Sequence, residues 1–288
     1  MKLDANCVVC ERKHGTRSAP VPTDGRPRDV DALVVVHTHF ERVMVPCFAR
    51  LVDLVDASHA DEAARTELYK AGFNRLLTSL AHAQSPLCEH GLSDAVARRH
   101  VGVRRQPRVV LQWLRALRER GLKLFLLTDS KQVHVDKVMA LALGDDWASL
   151  FDLVVSDAKK ATFFTRPTPA RSVRSLANAG KTKLVESGGI ASLAADIGSG
   201  SSVVYFGDHV QKDVVNPAAQ AGWRAVAVVS EMDGDGLLPC FSTPDGSPSL
   251  LAALITRHAV LCVPSIEAVA AAGLFVTPDW TPALIDWS

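Results

Sequence analysis

The chain has 288 residues, of which 48% are hydrophobic and 22% are charged. This composition is typical of a globular protein with one sizeable core and a second module, and it excludes a disordered chain. Lys and Arg number 32 and Asp and Glu number 31, which gives a net charge of +1. The net charge therefore gives no electrostatic reason to expect nucleic acid or an anionic membrane as a partner.

The sequence predicts neither a membrane segment nor a disulfide framework. Apolar stretches such as Leu33 to Val36 are too short to span a bilayer, and the first residues lack the apolar core of a signal peptide, so we expect a cytoplasmic location. The six cysteines are too scattered for a disulfide scaffold, which favours reduced thiols. Cys7 and Cys10 have the spacing of half a zinc or redox site, but no second pair follows, and the alternation up to Glu11 favours one strand of a hairpin.

Four segments follow one another along the chain. Residues 1 to 37 have a strand-like start and then many turn formers, so they form a lead-in hairpin and an irregular segment. Residues 38 to 106 carry apolar residues at spacings of three and four, which predicts a mostly helical module. Residues 107 to 230 alternate between helical and extended patterns, and residues 231 to 288 form a loop followed by an apolar helical stretch from about Leu250 to Ala272.

Residues 107 to 230 predict an α/β core. A helix beginning at Pro107 and ending near Gly121 carries apolar residues on one face, namely Val110, Trp113, Leu114 and Leu117. Strands are predicted at Lys123 to Leu127, Asp152 to Val155, Ser202 to Phe206 and Arg224 to Val229, with helices ending near Leu143 and running from about Asp213 to Gln220. Apolar strands that alternate with amphipathic helices predict a mostly parallel sheet covered on both faces. Ligands of such sheets bind beyond the carboxyl ends of the strands.

Thr128 is the first candidate site residue, because it follows a predicted strand and precedes Asp129 and Ser130. Its hydroxyl and the next backbone N–H groups could face an anion at a helix N-terminus. The alternative is a simple helix N-cap. Asp129 would repel a phosphate dianion unless its carboxylate points away.

Two further strand ends carry charged residues. Lys159 and Lys160 follow the second strand, where a lysine can neutralise phosphoryl oxygens, although a lysine pair is also typical of a solvated surface. Gly207 and Asp208 end the third strand, and Asp213 follows at the predicted start of a helix. Glycine allows a close backbone approach, and Mg²⁺ prefers one or two carboxylates while it keeps several waters. Alternatively, Asp208 is a turn residue and Asp213 a helix cap.

The order of these three motifs resembles that of the haloacid dehalogenase-like (HAD-like) phosphohydrolases. The surrounding segments resemble one branch, the cytosolic purine 5′-nucleotidases and their nucleotidase-domain relatives. The likeness covers Phe151 to Phe164, Ser187 to Gly189, Ala221 to Arg224 and Arg257 to Ala259, in the same order as in the family. It implies a Rossmann-like parallel sheet with a mostly helical cap module.

The resemblance also implies a function and a set of site residues. The function is Mg²⁺-dependent release of phosphate from purine nucleoside monophosphates, and the state of assembly is compatible with a homo-oligomer. The residues that match family positions are Thr128, Lys160 and Asp213 for catalysis, Arg75, His82 and Ser130 for substrate binding, and Asp208 for the metal. Ser79 stands where the cap pattern of the family has Asp, so the base preference stays open.

One part of the family pattern has no match. The family has a nucleophile strand ending in Asp-x-Asp-x-Thr, which lies between the strands that here end at Thr128 and Asp208. Asp29 and Asp31 do not supply it, because Pro27 and Arg28 precede them where a buried strand would be needed. The sequence therefore leaves two hypotheses: a 5′-nucleotidase-type phosphohydrolase whose chain begins downstream of that strand, or a catalytically silent HAD-like interaction or regulatory protein.

Overall fold

The computed structural model describes residues 2–3, 9–11, 44–58, 61–86, 105–172, 181–230 and 250–274. The chain divides into two compact units. The first unit comprises Met1–Pro86 together with Leu237–Arg257, and the second comprises Leu87–Gly236 together with His258–Ser288.

The described elements are short and alternate in type along the second unit. The strands are β1 (Lys2–Leu3), β2 (Val9–Glu11), β3 (Phe125–Leu127), β4 (Leu153–Ser156), β5 (Arg171–Ser172), β6 (Lys183–Glu186), β7 (Val204–Gly207), β8 (Arg224–Val228) and β9 (Ala259–Val263). The α-helices are α1 (Met44–Ser58), α2 (Glu62–Pro86), α3 (Arg108–Glu119), α4 (Gln132–Leu143), α5 (Lys160–Phe163), α6 (Ile190–Ile197), α7 (Asn216–Ala221), α8 (Leu250–His258) and α9 (Ile266–Ala271).

The first unit contains the expected hairpin and helices. β1 and β2 pair in antiparallel orientation, which confirms the strand predicted before Glu11. The Asp61 carboxylate caps α2 by accepting hydrogen bonds from the backbone N–H groups of Ala63 and Ala64 at 3.1 and 3.3 Å. α1 and α2 pack through Phe48 and Phe73, whose rings meet edge to face at 5.2 Å. Among the described helices, none has the length and apolar content needed to cross a bilayer.

The second unit confirms the predicted α/β class through parallel strand pairing. β3, β4 and β6 are parallel neighbours, and β5 adds an antiparallel edge to β6. All four residues of β4 are buried, which explains its unbroken apolar run. β6 is an element that the sequence reading did not include, although its central residues Leu184 and Val185 are buried.

A second parallel sheet has the order β7, β8 and β9. The expected helix from Leu250 to Ala272 is wrong in its middle third, because Ala259–Val263 forms β9 between α8 and α9. This run is rich in β-branched and aliphatic residues, and it pairs with β8 so that Val228 faces Val263. Burial against β8 therefore outweighs the helical spacing on which the prediction rested.

The connection after β7 also differs from the expected helix. It begins with a π-helical turn, Val210–Val215, which continues directly into α7. Asp213 therefore lies inside the π turn rather than at a helix start. Such turns are rare and occur frequently at functional sites.

The two sheets share the cores on both of their faces. On one face Leu127 and Val155 of the first sheet pack in the same cluster as Tyr205 of β7 and Trp223, which directly precedes β8. On the other face α3 buries Val110, Trp113 and Leu117 against the second sheet, and Leu114 of the same helix also contacts the cluster around β4. α3 thus confirms the apolar face predicted for a helix after Pro107.

A cavity of about 720 Å³ separates the two sheets inside the second unit. Its lining includes residues of β3 and β7, which are the nearest edges of the two sheets. Among the described strands, β3 pairs only with β4 and β7 pairs only with β8. The described strands of the second unit therefore form two sheets where a single sheet was expected.

Candidate functional site

Thr128 lies at the carboxyl end of β3 and is tied to the neighbouring loop. Its backbone N–H donates to Val155 O at 2.9 Å, and its carbonyl accepts from Ala158 N at 3.0 Å. Its hydroxyl accepts a hydrogen bond from the backbone N–H of Ser130 at 3.1 Å. The N-cap of α4 is Lys131, so the hydroxyl of Thr128 does not serve as a helix cap. Thr128 and Ser130 therefore form one hydrogen-bonded turn at the strand end.

The Asp129 carboxylate lies between two donors. One oxygen accepts from the backbone N–H of Lys160 at 2.6 Å, and the other accepts from the Lys212 ammonium at 3.2 Å. The carboxylate is half-buried, and its charge is directed to these groups. The repulsion expected between Asp129 and a phosphate beside Thr128 is therefore reduced, because these donors already neutralise the negative charge of Asp129 within the protein.

Lys159 and Lys160 occupy different environments. The Lys159 side chain is 66% exposed and pairs with Asp157. The Lys160 side chain is only 15% exposed, and its ammonium donates to the Asp213 carboxylate at 2.7 Å. Lys160 is thus the lysine held inside the strand-end region, while Lys159 remains on the surface.

Asp213 is the most deeply buried charged residue of this group, with its side chain 1% exposed. Besides Lys160, it accepts from the Tyr205 hydroxyl at 3.2 Å and from the His209 backbone N–H at 3.3 Å. Burial, followed by the charge of Asp213, raises the pKa of Tyr205 well above its usual value. Tyr205 therefore stays neutral and acts as a hydrogen-bond donor.

Gly207 is required by the position of Asp213. A Cβ atom at residue 207 would lie 2.2 Å from the Asp213 Cβ and 2.5 Å from its Cγ. These distances are far inside van der Waals contact, so no larger residue fits while Asp213 lies beneath the strand end. The group that closely approaches the backbone at Gly207 is the side chain of Asp213 in the same chain.

Asp208 is exposed at the carboxyl end of β7, next to this network. Among the residues that the structure describes, none donates a hydrogen bond or forms an ion pair with its carboxylate. The same part of the chain contains no group of three or more acidic, histidine or cysteine side chains arranged to hold a metal ion. Asp208 therefore suits a magnesium ion that takes one protein carboxylate and keeps most of its water, but not a fully enclosed metal site.

The net charge of the strand-end group is negative. Its charged side chains are Lys160, Lys212, Asp129, Asp208 and Asp213. The two positive and three negative charges of these five side chains sum to −1, and each lysine pairs with one aspartate. A phosphate dianion placed here would need a further cation to balance its charge.

The other two proposed substrate residues lie in the first unit. Arg75 and His82 are both on α2, and the Arg75 side chain is exposed. The side chain of His82 lies outside the described residues. Their contact with a nucleotide stays a prediction.

Tyr205 and Lys212 are functional candidates that the sequence reading missed. Lys212 could have been found, since it precedes Asp213 in the same strand-end motif and resembles Lys160 in position and charge. Tyr205 gives no such signal, because an aromatic residue in a buried strand is normally part of the core. Its role depends on the π turn that places Asp213 under the end of β7.

Comparisons with known proteins cover most of this chain. A model of the 5′ nucleotidase family matches residues 14–236. A 5′-nucleotidase domain-containing protein of Dictyostelium discoideum is 29% identical over 139 residues, which cover 42% of this chain and 24% of the relative. Human 5′-nucleotidase domain-containing protein 2 is 34% identical over 123 residues, which cover 39% of this chain and 24% of the relative.

A second human relative gives a similar result. Human 5′-nucleotidase domain-containing protein 1 is 29% identical over 143 residues, which cover 45% of this chain and 31% of the relative. The matched segments thus span only about a quarter to a third of the relatives' lengths.

Proposed function

The chain belongs to the 5′-nucleotidase family, and from that membership we propose that it carries the phosphate-positioning groups of a 5′-nucleotidase-type phosphohydrolase. The substrate class is the purine nucleoside monophosphates. The observation that carries the proposal is the position of Lys160, whose ammonium is held at the carboxyl edge of the sheet by the buried Asp213 at 2.7 Å. A cation fixed in advance at such an edge stabilises phosphoryl oxygens without reorganisation.

Each strand end has a separate role in this proposal. Thr128 and Ser130 present a hydroxyl and a hydrogen-bonded turn beside the phosphate, and Lys160 supplies the positive charge. Asp213 is a positioning residue, because it acts through Lys160 rather than on the phosphate. Asp129 and Lys212 form an ion pair at 3.2 Å that fixes the loop after β3 to the π turn.

Magnesium would reduce the negative charge of the proposed site. When bound, Mg²⁺ supplies two positive charges against the −1 of the five charged side chains at the strand ends and the −2 of the phosphate dianion. Asp208 would hold it, since that carboxylate is exposed at the strand end and has no partner among the described residues. A single carboxylate binds weakly a cation that gives up its waters reluctantly.

Nucleotide binding is the direct test of this proposal. We expect inosine or guanosine monophosphate to bind in the presence of Mg²⁺, and Lys160→Met to weaken that binding about 10-fold or more, because a charged hydrogen bond is worth ~1.5–3 kcal/mol. Lys159→Met is the matched control and should change affinity less than about twofold, as expected for an exposed charge. Titration calorimetry measures both. Equal effects of the two variants would reject Lys160 as the phosphate lysine.

Metal binding gives an independent test. We expect calorimetry to show weak Mg²⁺ binding to the wild-type chain and a loss of this binding in Asp208→Ala. Asp196→Ala, which removes an exposed carboxylate on α6, should leave it unchanged. Tight binding that survives Asp208→Ala would place the metal elsewhere.

A catalytically silent interaction or regulatory protein is the second candidate. The observation that favours it is that Asp129 and Asp213 are both engaged by cations, which leaves Asp208 as the free carboxylate of the group. Expression together with any in-frame upstream sequence would discriminate the candidates. Nucleotide turnover by the longer chain supports the phosphohydrolase, and nucleotide binding without turnover supports the silent protein.

Residues 1–288 alone are expected not to hydrolyse inosine or guanosine monophosphate above background. Lysines engage Asp129 and Asp213, and Asp208 is assigned to the metal, so the described residues of the site offer no free nucleophile and leave water as the attacking group. A phosphate-release assay with Mg²⁺ measures this. Turnover that disappears in Asp208→Asn would show that the chain by itself contains a complete active site.

A further inference from the structure

Two lysines belong to the strand-end group, and each is held by a carboxylate from another strand end. The Lys160 ammonium contacts Asp213 at 2.7 Å, and the Lys212 ammonium contacts Asp129 at 3.2 Å. The two pairs are linked, because Asp129 also accepts from the backbone N–H of Lys160 at 2.6 Å. Lys212 and Asp213 are consecutive residues of the π turn. The four residues therefore form a closed ring of charged groups next to Thr128.

The two lysines differ in how tightly they are held. The Lys160 side chain is 15% exposed, and its carboxylate partner is fully buried. The Lys212 side chain is 33% exposed, and the exposure of Asp129 is similar. An ammonium carries three N–H groups, and the described contact with Asp129 uses one of those of Lys212. A dissolved anion can therefore reach the remaining donors of Lys212.

A purely structural role explains the pair of Asp129 and Lys212 poorly. The loop after β3 is already joined to the start of α5 by the hydrogen bond between Asp129 and the backbone of Lys160. The start of α5 is in turn joined to the π turn by the buried pair of Lys160 with Asp213. A partly exposed ion pair adds little to a connection that already exists. The side chain of Lys212 is thus able to serve a ligand.

The backbone of Lys212 is fixed although its side chain is accessible. Its N–H donates to the Nδ1 atom of His209 at 3.3 Å, and the N–H of Asp213 donates to the His209 carbonyl at 2.7 Å. These bonds hold the π turn directly after Asp208. The Lys212 side chain therefore starts from a defined point and ends at the strand edge. A phosphate dianion at this edge gains from a second cation, because the charged side chains there already sum to −1.

From these observations we infer that Lys212 is a second phosphate-binding residue, which donates to the substrate phosphate together with Lys160. The inference rests on the proposed function. Asp129 keeps the Lys212 ammonium at the strand edge in the absence of the phosphate. The phosphate is common to all nucleoside monophosphates, so Lys212 contributes to affinity and not to the choice of base.

Titration calorimetry with inosine monophosphate and Mg²⁺ tests the contact. Lys212→Met and Asp129→Asn both break the ion pair, but only Lys212→Met removes the cation. We expect Lys212→Met to weaken binding about 10-fold or more. Asp129→Asn should strengthen binding, because it removes a negative charge beside the phosphate while the ammonium remains. Asp196→Asn removes a carboxylate of α6 outside this group and is the control for a simple loss of charge. Equal losses of affinity in Lys212→Met and Asp129→Asn overturn the inference.

Ionic strength separates a direct contact from a general effect of charge. At about 1 M sodium chloride the Debye length is about 3 Å, so charges that do not touch the phosphate are screened from it. The fold-change in affinity caused by Lys212→Met should therefore persist at this salt concentration. Its disappearance would show that Lys212 does not contact the phosphate, and would overturn the inference.

Chemical labelling locates the contact in the wild-type chain. A low dose of acetic anhydride acetylates accessible lysines, and mass spectrometry gives the rate at each one. At an inosine monophosphate concentration about ten times the dissociation constant, labelling of Lys212 should slow about 10-fold, by mass action. Lys159, whose side chain is 66% exposed, is the control and should not change. Protection of Lys160 without protection of Lys212 overturns this inference and leaves the proposed function standing. Protection of neither residue overturns both.

Discussion

Asp213→Ala is expected to lower the free energy of unfolding by roughly 3–5 kcal/mol, the usual cost of removing one partner of a buried ion pair. The Lys160 ammonium is 15% exposed and would lose its carboxylate at 2.7 Å. The Tyr205 hydroxyl and the His209 backbone N–H would lose their acceptor at the same time. Urea unfolding followed by circular dichroism measures the change.

An exposed ion pair provides the control for this prediction. The Lys183 and Asp196 side chains are 49% and 32% exposed and form a pair at 2.8 Å. Asp196→Ala should therefore cost less than about 1 kcal/mol. The double variant Lys160→Met with Asp213→Leu should recover stability relative to Asp213→Ala, because it leaves no charge unpaired. Equal costs for Asp213→Ala and Asp196→Ala would contradict the network described around Tyr205.

Residues 1–288 are expected to self-associate through the edges of β3 and β7. β3 and β7 are both edges among the described strands, and unpaired edges on apolar strands are templates for pairing between chains.

Size-exclusion chromatography with light scattering at several protein concentrations tests this expectation. A monomer at every concentration would show that other parts of the chain cover these two edges.

The sequence predicted the α/β class and the three strand ends that carry charged residues. Apolar runs such as Leu124 to Leu127 and Val154 to Val155 are unambiguous because parallel strands are buried on both faces. The family resemblance placed Lys160 rather than Lys159 at the site, and burial of Lys160 agrees with that choice. Whether the residue binds phosphate remains a prediction.

Tertiary contacts explain what the sequence could not predict. Ala259–Val263 has a helical spacing, but its pairing with β8 decides its conformation. The orientation of the Asp129 carboxylate depends on Lys212, which is 83 residues away in the chain. Neither partner can be identified from local patterns.

The lack of space for a side chain at residue 207 beside Asp213 limits which substitutions these two positions can accept. Since an alanine Cβ at 207 would meet the Cβ of residue 213 at 2.2 Å, any side chain beyond hydrogen at 213 blocks the substitution. Residue 213 must therefore become glycine before residue 207 can gain a side chain, and that change removes the carboxylate that orients Lys160. Loss of the carboxylate by a change to any other residue keeps the Cβ atom, so Gly207 is still required. A side chain at position 207 in a related chain thus indicates that residue 213 cannot hold the lysine.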